Sequence, residues 1–185
     1  MEAPRPRQRG LDTVKHHGIP IETVKRSVSA RGANRVFLHH LEQDDGTLCY
    51  LICDAREPDC VIVACSDAWL GVCGYSPDEV LRRNCRFLQG PLTCHTTIME
   101  MAASISAGHV FKTSVVNYHR DGTPFQNNFV LAPLVDEDDQ PLFYISMHGS
   151  DVANSLDWSL ATSPDPCHRV PEMGTPESLQ RECPV

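Results

Sequence analysis

The order of elements in this 185-residue chain predicts an α+β fold: a five-stranded antiparallel sheet with helices packed on one face. Two strand-like runs come first, three helical stretches follow, and three more strands close the series, an order that suits such a sheet. The dipeptide Asp121-Gly122, set between two alternating runs, adds a hairpin signal.

Each element has a local reason. Cys49-Tyr50-Leu51-Ile52-Cys53 and Val61-Ile62-Val63-Ala64-Cys65 are short apolar runs, separated by the turn-like Arg56-Glu57-Pro58-Asp59, and read as buried strands. Ser66 is a good N-cap for a short helix through Trp69 and Leu70. Ser76-Pro77-Asp78-Glu79 repeats the device, with proline at the first helical position and acids where the helix dipole favours them. Thr93 to Ile105 is the longest helical pattern, and Gly108 lies near its end. A strand from Val110 to Tyr118 turns at Asp121-Gly122 into a second, Phe125–Leu134. The acidic Asp136-Glu137-Asp138-Asp139 turns the chain once more into a last strand, Leu142–His148.

Composition bounds the rest. Apolar residues make up 41% of the chain, enough for a core of roughly a hundred residues. Three parts are expected: a basic, polar extension or cap over 1–46, one domain over 47–152, and a tail over 153–185. The tail is rich in Pro, Ser and Glu and is expected to lack fixed structure. The extension holds one amphipathic stretch, Asn34 to Leu41. Residues 1–40 carry eight Lys/Arg against three acids, so the extension would either touch an acidic partner or, as the simpler expectation, fold back on its own acidic domain. The net charge of −8 argues against direct nucleic-acid binding. The N-terminus has no apolar stretch of a secretory signal, and no apolar run approaches the roughly 18 residues of a membrane span. A cytoplasmic or nuclear protein without membrane attachment is expected. The nine cysteines then read as reduced thiols. Their number is odd and no pair has C-x-x-C spacing, so no metal site is expected. Cys49, Cys53, Cys60, Cys65 and Cys73 sit in apolar surroundings as small core residues.

The functional signal is Asn84-Cys85-Arg86-Phe87-Leu88-Gln89, read with Asn117 and Asn127. Residues two apart on a strand share a face. If Asn117 points inward, so do Thr113 and Val115; if Asn127 does, so do Phe125, Phe129 and Leu131; His148 shares its face with Tyr144 and Ser146. Such an inward face is odd for a plain core, because every buried amide needs partners. A carboxamide both donates and accepts, so it matches a heterocycle edge of alternating C=O and N–H groups. The pyrimidine edge of a flavin is such an edge. Phe129, Leu131, Leu88 and Ile105 would sandwich its rings, with the Cys85 thiol over the ring face.

At these residues the sequence resembles the LOV (light-oxygen-voltage) photoreceptor subclass of PAS domains. Asn84 through Pro91 matches the family's hallmark, and Gly74-Tyr75-Ser76 before it also fits. Asn117-Tyr118 with Asp121-Gly122, and Phe125 with Asn127, match its later strands, so the resemblance covers about residues 49–152. It implies a blue-light photoreceptor, not an enzyme, in which light leads to a covalent bond between the Cys85 sulfur and flavin carbon 4a that breaks again in the dark. It implies that Asn84, Gln89, Asn117 and Asn127 hydrogen-bond the flavin and that Arg86 contacts its phosphate. FMN is the implied form, with FAD or riboflavin as alternatives. The signal would pass to a partner protein or within a homodimer, with the N-terminal segment as the moving part.

Three positions depart from the family. Its last-strand glutamine is His148 here, which bears on output; a histidine there would titrate and make dark recovery pH-dependent. A second phosphate-binding arginine is replaced by Ala102, which bears on flavin affinity and form. The glycine two residues before Asn84 is Arg82. Cys53 and Cys60 also stand where Thr and Asn are common. Two other readings stay open: a PAS-type interaction module that no longer binds flavin, and a thiol enzyme using Cys85, for which only His95 or His148 would serve as base.

Overall fold

Period-two alternation and short turns produce a single antiparallel sheet. The structure, a computed structural model, describes residues 16–149. In chain order the elements are β1 (His16–Gly18), α1 (Ile21–Ser27), α2 (Gly32–Glu42), β2 (Tyr50–Asp54), β3 (Ile62–Ser66), α3 (Asp67–Cys73) and α4 (Pro77–Val80). A 3-10 turn at Cys85–Leu88 follows, then α5 (His95–Ser106), β4 (Phe111–Tyr118), β5 (Pro124–Val135) and β6 (Pro141–His148). The strands lie in the order β1-β3-β2-β6-β5-β4, every neighbouring pair antiparallel.

The caps work as their residue types dictate. The Ser66 hydroxyl accepts the Trp69 N–H at 3.2 Å, which starts α3. At α4 the Ser76 N–H donates to the Glu79 carboxylate at 2.9 Å, satisfying one of the orphan donors of a helix start. The hairpin at Asp121-Gly122 closes with the His119 N–H on the Thr123 carbonyl at 2.9 Å.

Six strands, not five, make the sheet. The extra strand is β1, which pairs with β3 from His16 to Gly18. Three residues are too few to show alternation in a sequence. Gly18 makes the pairing possible: its φ is +98°, and a Cβ there would lie 2.0 Å from the Val63 carbonyl oxygen. The extension also holds a helix the sequence pattern did not show. α1 is a seven-residue helix without a side-chain cap, and only Ile21, Val24 and the C-cap Val28 mark its apolar side.

The sheet is covered on both faces. On the outer face α1 and α2 place Val24 and Phe37 against Tyr50, Ile52, Val130, Leu134, Ile145 and Met147. Each such side chain contributes about 1.5–3 kcal/mol on full burial. Asn34 pins α2 to β5: its amide donates to the Ser29 and Val135 carbonyls at 2.7 Å each and accepts the Val135 N–H at 3.1 Å. On the inner face α3, α4 and the 3-10 turn pack Trp69, Leu70, Val80 and Leu88 on Leu51, Ile62 and Cys65. α5 sets Ile98, Met101 and Ile105 against Val115, Phe129 and Leu131. The inner face of β4, β5 and β6 is where polar groups are buried. Residues 150–152 of the expected domain and the expected tail lie outside the described residues.

Candidate functional site

Alternation turns Thr113, Val115 and Asn117 on β4, Asn127, Phe129 and Leu131 on β5, and Ser146 and His148 on β6 inward, and all are buried. The polar ones form one hydrogen-bonded chain. The Asn117 amide donates to the Leu88 carbonyl at 3.3 Å. The Asn127 amide donates to the Asn117 oxygen at 2.8 Å. The Asn127 oxygen meets His148 Nδ1 at 2.9 Å, and His148 Nε2 meets the Ser146 hydroxyl at 2.9 Å.

This chain has a direction. The Leu88 carbonyl only accepts, so Asn117 must turn its NH2 toward it and its oxygen toward Asn127. Asn127 then turns its own oxygen toward His148, and Nδ1 must carry the proton. Nε2 is left to accept from Ser146. A backbone carbonyl of the 3-10 turn thereby fixes the tautomer of an imidazole on β6. Burial pushes the His148 pKa down to about 3, and the ring packs on Phe129 with centroids 5.2 Å apart. The imidazole is therefore neutral over the range in which an ordinary histidine titrates. This bears against a pH-dependent dark recovery driven by titration of His148.

The hallmark segment divides its residues between inside and outside. Leu88 is buried, and Cys85 is half-buried with its sulfur 3.7 Å from that of Cys53. The Asn84 side chain caps the turn, its oxygen accepting the Arg86 N–H at 2.8 Å, while its amide donates to the Asp59 carbonyl. Arg86 is exposed and paired with the Asp59 carboxylate. Gln89 is exposed. Gly90 lies so close to the Tyr118 ring that a Cβ would come within 2.4 Å of it, and the Tyr118 hydroxyl accepts the Leu92 N–H at 2.9 Å. Ala102 and Arg82 are exposed, and Arg82 takes a left-handed φ of 65°.

Of the residues singled out in the sequence, the structure gathers Asn117, Asn127 and His148 into the polar chain. It sets Ile105, Phe129 and Leu131 together in one apolar cluster and links the polar chain to the turn through the Leu88 carbonyl. Asn84, Arg86 and Gln89 do not join that chain. Sequence reasoning missed the partners: the Ser146 hydroxyl, the Leu88 carbonyl and the Cys53 thiol. Alternation already placed Ser146 beside His148, but nothing in the sequence shows which atoms meet.

The cysteines divide by surroundings. Burial pushes the Cys49 and Cys65 thiols up to about 12. Among the described residues no cluster of His, Cys, Asp or Glu could hold a metal ion, and no helix is long and apolar enough to cross a membrane.

The donor set fits a flavin edge. Every buried side-chain N or O among the described residues has a partner, yet the Asn117 amide makes only long contacts, 3.3 Å to the Leu88 carbonyl and 3.4 Å to the Val116 carbonyl. Contacts longer than about 3.2 Å are weak, so this donor has capacity for a better acceptor.

Comparison with known proteins agrees with this fold. Residues 47–148 match a family model described as a PAS domain. The chain is 37% identical over 98 residues to Phototropin-2 of Oryza sativa subsp. japonica, covering 53% of this chain and 11% of that protein. It is 34% identical over 118 residues to the blue-light-activated histidine kinase of Rhizobium johnstonii, covering 64% of this chain and 34% of that one. The chain thus spans at most about a third of these two relatives' length. Among solved structures, the dark structure of the blue-light photoreceptor Aureochrome1 LOV superposes with a TM-score of 0.56 at 34% identity. That match covers 65% of this chain and 88% of that one. The LOV domain of the Erythrobacter litoralis EL346 blue-light-activated histidine kinase superposes with a TM-score of 0.53 at 28% identity, covering 55% and 94%. The chain belongs to the PAS domain family and, within it, to the LOV class.

Proposed function

We propose that this chain is a blue-light photoreceptor that holds a flavin on the inner face of its sheet and bonds to it reversibly through Cys85. The observation that carries the reading is the buried, directional chain from the Leu88 carbonyl through Asn117 and Asn127 to His148. When bound, the flavin supplies the blue absorbance and the electrophilic ring carbon that takes the sulfur. Asn117 and Asn127 would bind and orient its pyrimidine edge, each with an amide that donates and accepts. Phe129, Leu131, Ile105 and Leu88 would exclude water from the rings. His148, neutral and with Nδ1 as its donor, would exchange hydrogen bonds with the ring edge at the position where the family's glutamine stands. Asn84 and Gln89 would hydrogen-bond the flavin from the hallmark turn, and Arg86 would offer its guanidinium to the phosphate. FMN is the form we propose, with FAD or riboflavin as alternatives. A partner protein or a second copy of the chain would receive the signal.

One observation favours a second reading, an interaction module without chromophore. The buried polar groups satisfy one another, and Arg86 is already paired with Asp59. Colour separates the two. Purified protein should be yellow and should lose its blue absorbance reversibly on illumination. Cys85→Ala should keep the colour and lose the bleaching. Colourless protein that takes up no added flavin would establish the second reading, and persistent adduct-like bleaching in Cys85→Ala would remove Cys85 from its role.

A further inference from the structure

The Cys85 sulfur has a neighbour of its own kind. Cys53 stands on β2, held in register opposite Tyr144 of β6, and its sulfur lies 3.7 Å from that of Cys85. Cys85 opens the 3-10 turn, whose start is fixed by the Asn84 cap. A third thiol, Cys60, lies near enough to Cys53 to shift its titration. Two well-braced elements therefore hold two sulfurs in contact. A disulfide bond is about 2.0 Å long, so closure needs the two sulfurs to approach by about 1.7 Å.

We propose that Cys53 and Cys85 form a reversible disulfide on reaction with a low-molecular-weight disulfide such as oxidised glutathione, taking the Cys85 sulfur out of use in the dark. The chemistry stands on the two thiols alone; its effect on light sensing rests on the reading above. In the first step the Cys85 thiolate attacks one sulfur of the small disulfide, whose S–S bond breaks and releases one thiolate. Cys53 then attacks the Cys85 sulfur of this mixed disulfide, and the second small thiolate leaves. Two protein thiols are oxidised, one small disulfide is reduced, and the two protein protons end on the two thiols released. Reduced glutathione in excess runs the same steps backwards.

Cys60 stands beside this pair. Its interaction with Cys53 pushes the Cys53 thiol well up and draws Cys60 down. The same pairing supplies the competitor: a Cys53–Cys60 disulfide would spend the partner and leave Cys85 free.

The test uses the full chain in the dark, incubated with mixtures of reduced and oxidised glutathione, alkylated, digested and mapped by mass spectrometry. A Cys53–Cys85 linked peptide is expected, lost again with dithiothreitol. The amplitude of the blue-light bleach should fall in proportion to the linked fraction, and Cys53→Ser should keep its full bleach in the oxidising mixture. A Cys53–Cys60 link, glutathione resting on Cys85 with no link to Cys53, or full bleaching by fully linked protein would each overturn the proposal. Linked protein that carries no flavin would support the dithiol and refute the light-sensing reading instead.

Discussion

Replacing His148 by glutamine isolates how much stability a buried neutral imidazole gives. The native ring is held at a pKa of about 3 by burial, against 6.5 in a solvated chain. The folded value lies below the unfolded one, so the unfolded chain binds the extra proton. The contribution is fully present above pH 6.5 and is lost as the pH falls toward 3. Between pH 6.5 and 5 the loss is about 1.5 pH units at about 1.36 kcal/mol each, or about 2 kcal/mol. Glutamine suits the control. Its amide can donate to the Asn127 oxygen and accept from the Ser146 hydroxyl, keeping the direction of the chain while removing the titration. Urea unfolding of both proteins at pH 7 and pH 5 gives four free energies. Contributions common to both proteins cancel in the difference of differences. The unmodified protein should lose about 2 kcal/mol more than the variant. Equal losses would mean that the imidazole is solvated in the native state, and the buried chain as described would be wrong.

The other expectations concern the flavin's phosphate and the backbone. An arginine at 102 would restore a charge-assisted phosphate contact, each worth about 1.5–3 kcal/mol; the unmodified protein should therefore carry a mixture of FMN, riboflavin and FAD, and Ala102→Arg should shift it toward FMN. Chromatography of the released flavin reads this, and stoichiometric FMN in the unmodified protein would refute the weakened phosphate contact while leaving FMN as the bound form. Arg82 sits in the left-handed region at φ 65° with its side chain exposed. Glycine relieves that strain, so Arg82→Gly should gain about 1 kcal/mol in urea unfolding; an unchanged midpoint would show that the turn carries no such cost.

The strands of the domain were legible because their signal is local. Period-two alternation placed Asn117, Asn127 and His148 on one face, and the Asp-Gly turn set their relative register. Ser66 and Ser76 marked helix starts by the chemistry of a cap. What escaped depends on tertiary contact. β1 exists because Gly18 lets it approach β3, and α1 because Val24 finds the outer core; neither leaves a pattern in so short a stretch. The same holds for the site. Sequence could say that two carboxamides and an imidazole share a face. It could not say that a carbonyl at Leu88 sets the order of donors along them, or that Cys53 lies against Cys85 from a different element.

β6 explains why a polar inner face is affordable and where a change there would be felt. Ser146 and His148 point inward with Tyr144, while Phe143, Ile145 and Met147 point outward into the cluster beneath α1 and α2. On β6 itself the outer face carries most of the apolar burial, with Ile145 and Met147 fully enclosed, so its inward positions are left to Tyr144, Ser146 and His148. The two faces are one pleat apart on the same backbone. Met147, next to His148 on the strand, lies in the core shared with Val24 and Phe37, so a change at the inner edge of β6 would be felt beneath the cap as well as at Trp69 and Phe129, whose rings pack near His148.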